Sequence, residues 1–134
     1  MAKNILVVDD KENTRVVLRD IFEQLGYAVT VAPTGEEALA LIDKEKEKPD
    51  LILLDTELNT VVPGGMYGFE VCKQIKQVKK LSTKVIMYTG TLGMVDAVQA
   101  RNMGADDYII KGGNTENLVE AVKKLIGDAK NEKE

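Results

Sequence analysis

The sequence predicts an α/β chain in which five parallel strands alternate with five helices. Five short apolar segments recur along the 134 residues, and four of them are unbroken runs, which is typical of strands buried on both faces of a sheet. Each parallel crossover needs a right-handed helical connection, so the alternation predicts one parallel sheet with helices on both faces. The common doubly wound order for five strands is 2-1-3-4-5, with ligands bound beyond the carboxyl ends of the strands. The predicted strands are Ile5–Val8, Tyr27–Val31, Leu51–Leu54, Val85–Tyr88 and Tyr108–Ile110.

The helices are predicted from apolar residues at helical spacing and from the residues at their ends. Gly26 is expected to close the first helix in a left-handed conformation, and Thr34–Glu37 form a capping-box pattern that opens the second. The fourth helix, from about residue 94 to 102, has the weakest pattern, and the fifth starts near residue 114 or 115. The helix positions expected to be buried are Val17, Leu18, Ile21, Phe22, Leu25, Ala38, Leu41, Ile42, Phe69, Cys72, Ile75, Val78, Leu118, Val122, Leu125 and Ile126.

Composition excludes several classes of site. There are 18 Lys and Arg against 22 Asp and Glu, a formal net charge of −4, which argues against direct nucleic-acid binding. Histidine is absent, so His-based triads and His metal ligands are excluded. Cys72 is the single cysteine, so an internal disulfide or a Cys-rich zinc site is excluded, and its helical position favours a buried, inert thiol. Any chemistry must rest on carboxylates, lysines and hydroxyls.

The layout of the chain indicates one domain in the cytoplasm. The apolar runs are too short to span a membrane, and the run at Ile5–Val8 is too short for a signal peptide. Residues 1–127 are expected to form the domain and residues 128–134 a polar C-terminal tail, with fraying expected from Gly127 onward.

Reactive polar residues follow four of the five predicted strands. Asp9 and Asp10 follow the first strand, Asp55 the third, Thr89 the fourth and Lys111 the fifth. Carboxylates that converge repel one another unless a cation lies between them, and an all-oxygen site suits Mg²⁺ best, with Mn²⁺ or Ca²⁺ as alternatives. A lysine and a hydroxyl beside such a metal make a receptacle for a phosphoryl group.

Four segments in this order resemble the receiver domain of two-component response regulators. They are ILVVDD (Ile5–Asp10), LILLD (Leu51–Asp55), VIMYTG (Val85–Gly90) and GADDYIIK (Gly104–Lys111), and the resemblance extends over about Asn4–Ile126. It implies a CheY-like, flavodoxin-like three-layer sandwich that acts in phosphorelay signalling.

The resemblance also implies a role for each site residue. Asp55 would accept phosphate from a phosphohistidine on a sensor kinase or a histidine phosphotransfer protein, and the chain would catalyse this transfer and slow autodephosphorylation without turning over small molecules. Mg²⁺ would be bound directly by Asp10 and Asp55, with Asp9 helping through water and the backbone carbonyl of Glu57 completing the protein ligands. Lys111 and Thr89 would contact the phosphoryl oxygens.

The output would be a population shift between inactive and active conformers. Thr89 would move toward the phosphate, and Tyr108 would turn inward. The face built from the fourth helix, fifth strand and fifth helix would then change shape for a downstream target, an attached effector domain or a second copy of the chain. The alternative for Tyr108 is an ordinary half-buried aromatic residue of the sheet.

Three features depart from the family pattern. Gly112-Gly113 follow Lys111 where the family has a proline with a cis bond, so either a cis bond or a less constrained lysine is expected. The stretch Asn59–Tyr67 has the appearance of an insertion beside the site, either a recognition element or a tolerated loop. The side chain of Glu57 is expected to alter the dephosphorylation rate in a direction left open.

Two other classes compete with the phosphoacceptor interpretation. A pseudo-receiver would keep the fold as a protein-interaction module without phosphoryl chemistry. A dehalogenase-type phosphatase would place Asp-x-Asp after the first strand, whereas Asp55-Thr56-Glu57 follow the third, and no dinucleotide or Walker motif occurs. The sequence leaves open whether the chain is a stand-alone relay or the N-terminal part of a longer regulator.

Overall fold

The predicted α/β architecture is confirmed in the computed structural model, which describes residues 2–55, 68–90, 98, 100–112 and 115–129, with the side chain of Thr89 excluded. Five parallel strands form one sheet in the order β2-β1-β3-β4-β5. The strands are β1 (Asn4–Val8), β2 (Ala28–Ala32), β3 (Leu51–Leu54), β4 (Lys84–Thr89) and β5 (Asp107–Ile110).

Helices cover both faces of the sheet. They are α1 (Glu12–Gln24), α2 (Gly35–Lys44), α3 (Gly68–Lys73), α4 at residues 98 and 100–102, and α5 (Thr115–Ile126). A π-helical turn, Gln74–Val78, continues α3 directly. The first part of the predicted fourth helix, from residue 94, and the alternative fifth-helix start at Asn114 lie outside the described residues. None of the described helices is long and apolar enough to cross a lipid bilayer.

The predicted closure of α1 at Gly26 and the Thr34 half of the predicted capping box are confirmed. Gly26 follows α1 with a φ of 98°, a conformation that costs glycine little and other residues more. The Thr34 hydroxyl accepts a hydrogen bond of 3.1 Å from the Glu37 amide and so satisfies an otherwise unpaired N–H of the first turn of α2. Tyr27 was predicted as the start of the second strand, but its amide donates to the Phe22 carbonyl and belongs to the end of α1, so β2 begins at Ala28.

The core has two layers, one on each face of the sheet. One layer packs α2 and α3 against the sheet through residues such as Ala38, Ile42 and Cys72, and the other packs α1 and α5 through Phe22 and Leu118. In each strand, alternate side chains enter opposite layers, so the central strands contribute to both layers. This explains the unbroken apolar runs of β1, β3 and β4.

The prediction of helix burial was wrong at three positions. Val17, Leu25 and Val78 are 53%, 41% and 60% exposed, because the stripe that faces the sheet is narrower than the apolar pattern suggests. The buried residues of α1 are Leu18 and Phe22, which lie on that stripe. Leu39, which the spacing did not select, is buried on α2, whereas Leu41 is half-buried.

The C-terminal segment is packed further than the sequence suggested. The Lys3 amide donates to the Ala129 carbonyl at 2.8 Å, and the Tyr27 hydroxyl donates to the Gly127 carbonyl at 2.6 Å. Ala129 is buried in the layer that contains α5. The expectation that fraying starts at Gly127 was therefore wrong through Ala129, and residues 130–134 lie outside the described part of the chain.

Cys72 is the buried thiol that the sequence predicted, and it makes stability sensitive to alkaline pH. Burial is the main reason that its pKa is raised from 9.0 to about 11. The charge of Lys76 lowers this pKa to a smaller extent, and the charge of Asp106 raises it. The unfolded chain ionises first, so the contribution to the free energy of unfolding is fully present below about pH 9 and is lost as the pH rises toward 11. We expect a loss of about 2–3 kcal/mol over this interval.

Urea unfolding between pH 8 and 10.5 measures this loss, with Cys72→Ala as the matched variant. Cys72→Ala is less stable at pH 8 but should lose less stability with pH, because the other alkaline groups are common to both proteins. An identical pH slope for the two proteins would contradict the assignment.

Candidate functional site

Three carboxylates meet at the carboxyl ends of β1 and β3. These strands are neighbours, and Val8 pairs with Leu54, so the residues that follow them, Asp9 and Asp55, come side by side. Asp10 follows directly, and one ligand oxygen from each of the three lies within 4.8 Å of the others. Asp9 and Asp55 are only 2% and 3% exposed. The sheet order and register thus build a compact, largely buried acidic cluster from residues that are up to 46 positions apart in the numbering.

Asp9 is held through both carboxylate oxygens and through its carbonyl. Its Oδ1 accepts a hydrogen bond of 2.9 Å from the Lys11 amide, and its Oδ2 lies 2.6 Å from Lys111 Nζ. The Arg15 guanidinium donates to the Asp9 carbonyl at 2.8 Å from the first part of α1. These contacts fix the loop between β1 and α1, which carries two of the three carboxylates.

Lys111 brings a positive charge into contact with the cluster. It follows β5, and its Nζ lies 2.6 Å from Asp9 Oδ2 and 3.3 Å from Asp55 Oδ2. Burial alone would lower the pKa of the lysine, but the hydrogen bond to Asp9 and the charge of Asp55 outweigh burial, so its pKa is raised. Lys111 therefore stays protonated throughout the physiological range and neutralises part of the acidic cluster.

The peptide bond after Lys111 is trans. Gly112 has a φ of 85°, which favours glycine at this position. The sequence left open a cis bond after Lys111 or a less constrained lysine, and the cis bond is not adopted.

The donor set of the cluster fits a hard divalent cation. The three carboxylates lie close enough to repel one another, which favours the uptake of positive charge between them. Carboxylate oxygens are the ligands preferred by Mg²⁺, which keeps several waters and binds with few protein ligands. The site could therefore hold Mg²⁺, and the same oxygens are compatible with Mn²⁺.

The structure describes the other predicted site residues only in part. Thr89 is the last residue of β4 and pairs with Ile110, while its side chain lies outside the described atoms. Glu57 and the stretch Asn59–Tyr67 lie outside the described residues. Tyr108 is half-buried and, with residues of α4 and the loop after it, lines a cavity of about 250 Å³.

Two residues that touch the site were not selected from the sequence. Arg15 lies one helical turn after Lys11, so its position in the first turns of α1 could have indicated that it reaches back to the aspartates. Tyr88 lies beneath Lys111, whose Nζ is 5.7 Å from the centre of its ring. The contact between Tyr88 and Lys111 follows from the strand register, which a single sequence does not supply.

Comparison with known proteins agrees with this geometry. The family model of the response regulator receiver domain matches residues 5–123 of the sequence. The alkaline phosphatase synthesis transcriptional regulatory protein PhoP of Bacillus subtilis (strain 168) is 40% identical over 126 residues, which are 94% of this chain and 49% of that protein. The chain thus spans about half the length of this curated relative.

Solved structures of receiver domains have the same fold. A CheY-like response regulator receiver domain protein from Methanospirillum hungatei JF-1 has a TM-score of 0.81 and 35% identity, with 92% of this chain and 93% of that chain covered. The response regulator TrrA from Thermotoga maritima, in complex with Mg²⁺ and beryllofluoride, has a TM-score of 0.77 and 36% identity over 92% and 98% of the two chains. With its sheet order, its acidic cluster and a family match over most of its length, this chain belongs to the response regulator receiver domains of two-component systems.

Proposed function

We propose that this chain is a cytoplasmic phosphoacceptor in which Asp55 takes a phosphoryl group from a partner's phosphohistidine. The observation that carries this proposal is the convergence of the three carboxylates with the ammonium group of Lys111, which lies 3.3 Å from Asp55. A buried carboxylate beside a lysine and a divalent-cation site has the groups needed for covalent phosphoryl transfer.

The transfer forms one bond and breaks one. An Asp55 carboxylate oxygen attacks phosphorus, and the bond from phosphorus to the donor's leaving atom breaks. The leaving atom is a histidine nitrogen in a protein donor and an acetate oxygen in acetyl phosphate. Lys111 is placed to hold the charge of the phosphoryl oxygens as the negative charge shifts during transfer. Attack by water on the phosphorus of the acyl phosphate breaks its bond to the Asp55 oxygen, releases inorganic phosphate and returns Asp55 to the carboxylate, so the modification is reversible.

Asp9, Asp10 and Asp55 would hold Mg²⁺, with the Glu57 carbonyl as a further ligand carried over from the family resemblance. The bound ion would neutralise charge on the phosphoryl group and the carboxylates. Support comes from the spacing of the three oxygens and from the complex of TrrA with Mg²⁺ and beryllofluoride. Mn²⁺ is the second candidate ion because it accepts the same oxygen ligands.

The phosphodonor is proposed to be a sensor histidine kinase or a histidine phosphotransfer protein. These 134 residues contain no histidine, so the donor histidine lies outside them. α1 begins two residues after Asp10 and exposes Val16 and Val17, which are 49% and 53% exposed. These apolar side chains next to the site are suited to contact with such a partner.

The output is proposed to pass through Tyr108 and Thr89 to the face formed by α4, β5 and α5. The half-buried position of Tyr108 at the cavity beside α4 supports a role for it at this face. The altered face would bind a downstream target, an effector domain or a second copy of the chain. A pseudo-receiver without phosphoryl chemistry is not supported, because the acidic cluster and its lysine are assembled in the described part of the structure.

Incubation with acetyl phosphate and Mg²⁺ followed by intact-mass measurement tests the proposal. One phosphoryl group should be gained, and EDTA should prevent the gain. If no adduct forms, beryllofluoride binding distinguishes rapid hydrolysis from a site that takes no phosphoryl group. Failure of both measurements would replace the phosphoacceptor with the pseudo-receiver.

Metal binding should also be visible as stability. Mg²⁺ at about 100 times its Kd should stabilise the protein by about 2.7 kcal/mol, because it binds the folded cluster and not the unfolded chain. Thermal unfolding measures the shift, with KCl of matched ionic strength as the control. Asp10→Asn should remove most of the Mg²⁺ effect, and an equal shift in that variant would argue against the cluster as the metal site.

A further inference from the structure

The backbone that follows Lys111 does little to fix this lysine. Gly112 has a φ of 85°, and a Cβ built on it would meet no described atom within 4 Å. A glycine in open space restricts neither its own torsions nor those of its neighbour. The direction of the Lys111 side chain therefore depends on the groups that the side chain itself touches.

One of those groups is the ring of Tyr88. Tyr88 on β4 pairs with Ile109 on β5, and Lys111 comes two residues after Ile109, so strand alternation brings the lysine to the face of the sheet that carries the tyrosine. Lys111 Nζ lies 5.7 Å from the ring centre, within the range of a cation–π contact. Tyr88 is itself half-buried against the core layer that contains α1 and α5.

We propose that Tyr88 is a positioning residue that holds Lys111 over the acidic cluster. The carboxylates attract the ammonium group but leave its four-carbon chain free to adopt many rotamers. The tyrosine ring is anchored by the core and presents a flat, electron-rich face, so it supports the ammonium group between Asp9 and Asp55. This role rests on the proposed function, since Lys111 must be in place when the phosphoryl group arrives.

The initial rate of phosphoryl uptake from acetyl phosphate at saturating Mg²⁺ tests the role of the ring. Tyr88→Leu keeps an apolar side chain against the core but loses the aromatic face, and its rate should fall three- to thirtyfold, which corresponds to the range of a partly desolvated cation–π contact. Tyr88→Phe keeps the face and should react within twofold of the wild-type rate. The Kd of Mg²⁺ should change less than twofold in both variants.

A proton chemical-shift measurement tests the contact without phosphorylation. The Cε protons of Lys111, assigned by comparison with Lys111→Met, should show a ring-current shift in the wild type and in Tyr88→Phe that disappears in Tyr88→Leu. If the wild type shows the ring-current shift but takes up no phosphoryl group, the contact exists and the proposed function fails. A wild-type rate in Tyr88→Leu, equal slowing in both variants, or loss of Mg²⁺ affinity in Tyr88→Leu would each overturn the positioning role.

Discussion

Asp55→Asn is expected to take up no phosphoryl group from acetyl phosphate and to be more stable than the wild type when Mg²⁺ is absent. The loss of uptake follows because the amide oxygen of asparagine is a poor nucleophile, while the side chain keeps its size in a site where Asp55 is 3% exposed. The gain in stability follows because the substitution removes one of three carboxylates whose oxygens lie within 4.8 Å of one another. We expect an increase of about 1–3 kcal/mol in the free energy of unfolding.

Intact-mass analysis measures the uptake, and urea unfolding in EDTA measures the stability. Asp128→Asn is the matched control, since that carboxylate is exposed and lies far from the cluster in the packing at the end of α5; both its uptake and its stability should equal those of the wild type. Phosphoryl gain by Asp55→Asn would mean that another group is the acceptor. A lower stability in EDTA would mean that repulsion within the cluster does not dominate its energetics.

Much of the site could be predicted because it depends on backbone topology. Once the apolar runs indicate a parallel sheet in the order 2-1-3-4-5, the residues after its strands must meet at one edge, which is why Asp9, Asp10 and Asp55 could be grouped before any geometry was known. Lys111 joins them for the same reason, since β5 runs parallel to the other strands and ends at that edge.

The parts that could not be predicted depend on side-chain directions and on register. Val17 and Leu25 have the spacing of buried residues, but α1 contacts the sheet along a narrower line through Leu18 and Phe22. Tyr88 acquires its contact with Lys111 from the pairing of Tyr88 with Ile109, and the sequence alone does not determine that register. The packing of Ala129 depends on a hydrogen bond to Lys3 at the other end of the chain, which no local pattern indicates.

Lys111→Met is expected to slow phosphoryl uptake by about 10²–10³-fold, the range observed when one preorganised charge-stabilising group is removed from an active site. It should also destabilise the protein in EDTA by about 3–5 kcal/mol, because Asp9, at 2% exposure, loses its partner at 2.6 Å and leaves a buried charge uncompensated. Mg²⁺ should then stabilise the variant more than the wild type, since the ion no longer competes with a lysine for the carboxylates.

Lys79→Met is the control that separates burial from distance. Lys79 lies 2.6 Å from Asp43, the same distance as Lys111 from Asp9, but the Asp43 side chain is 62% exposed. An exposed pair contributes about 0–1 kcal/mol, so Lys79→Met should change stability little and phosphoryl uptake not at all. If the two variants lost equal stability, the burial of the Asp9–Lys111 pair would not be the reason for its effect.

The pH dependence gives Lys111→Met a second, independent readout. The hydrogen bond to Asp9 and the charge of Asp55 raise the pKa of Lys111 against the opposing effect of burial. A raised folded-state pKa means that the stabilisation by the ion pair is fully present below the ordinary lysine value of about 10.4 and is lost as the pH rises through the folded-state pKa. The wild type should therefore lose more stability than Lys111→Met above about pH 10.4, and urea unfolding of both proteins between pH 9 and 11.5 measures the difference. Parallel stability curves would show that the pKa of Lys111 is the same in the folded protein and in the unfolded chain. The electrostatic basis for its role in the site would then be lost.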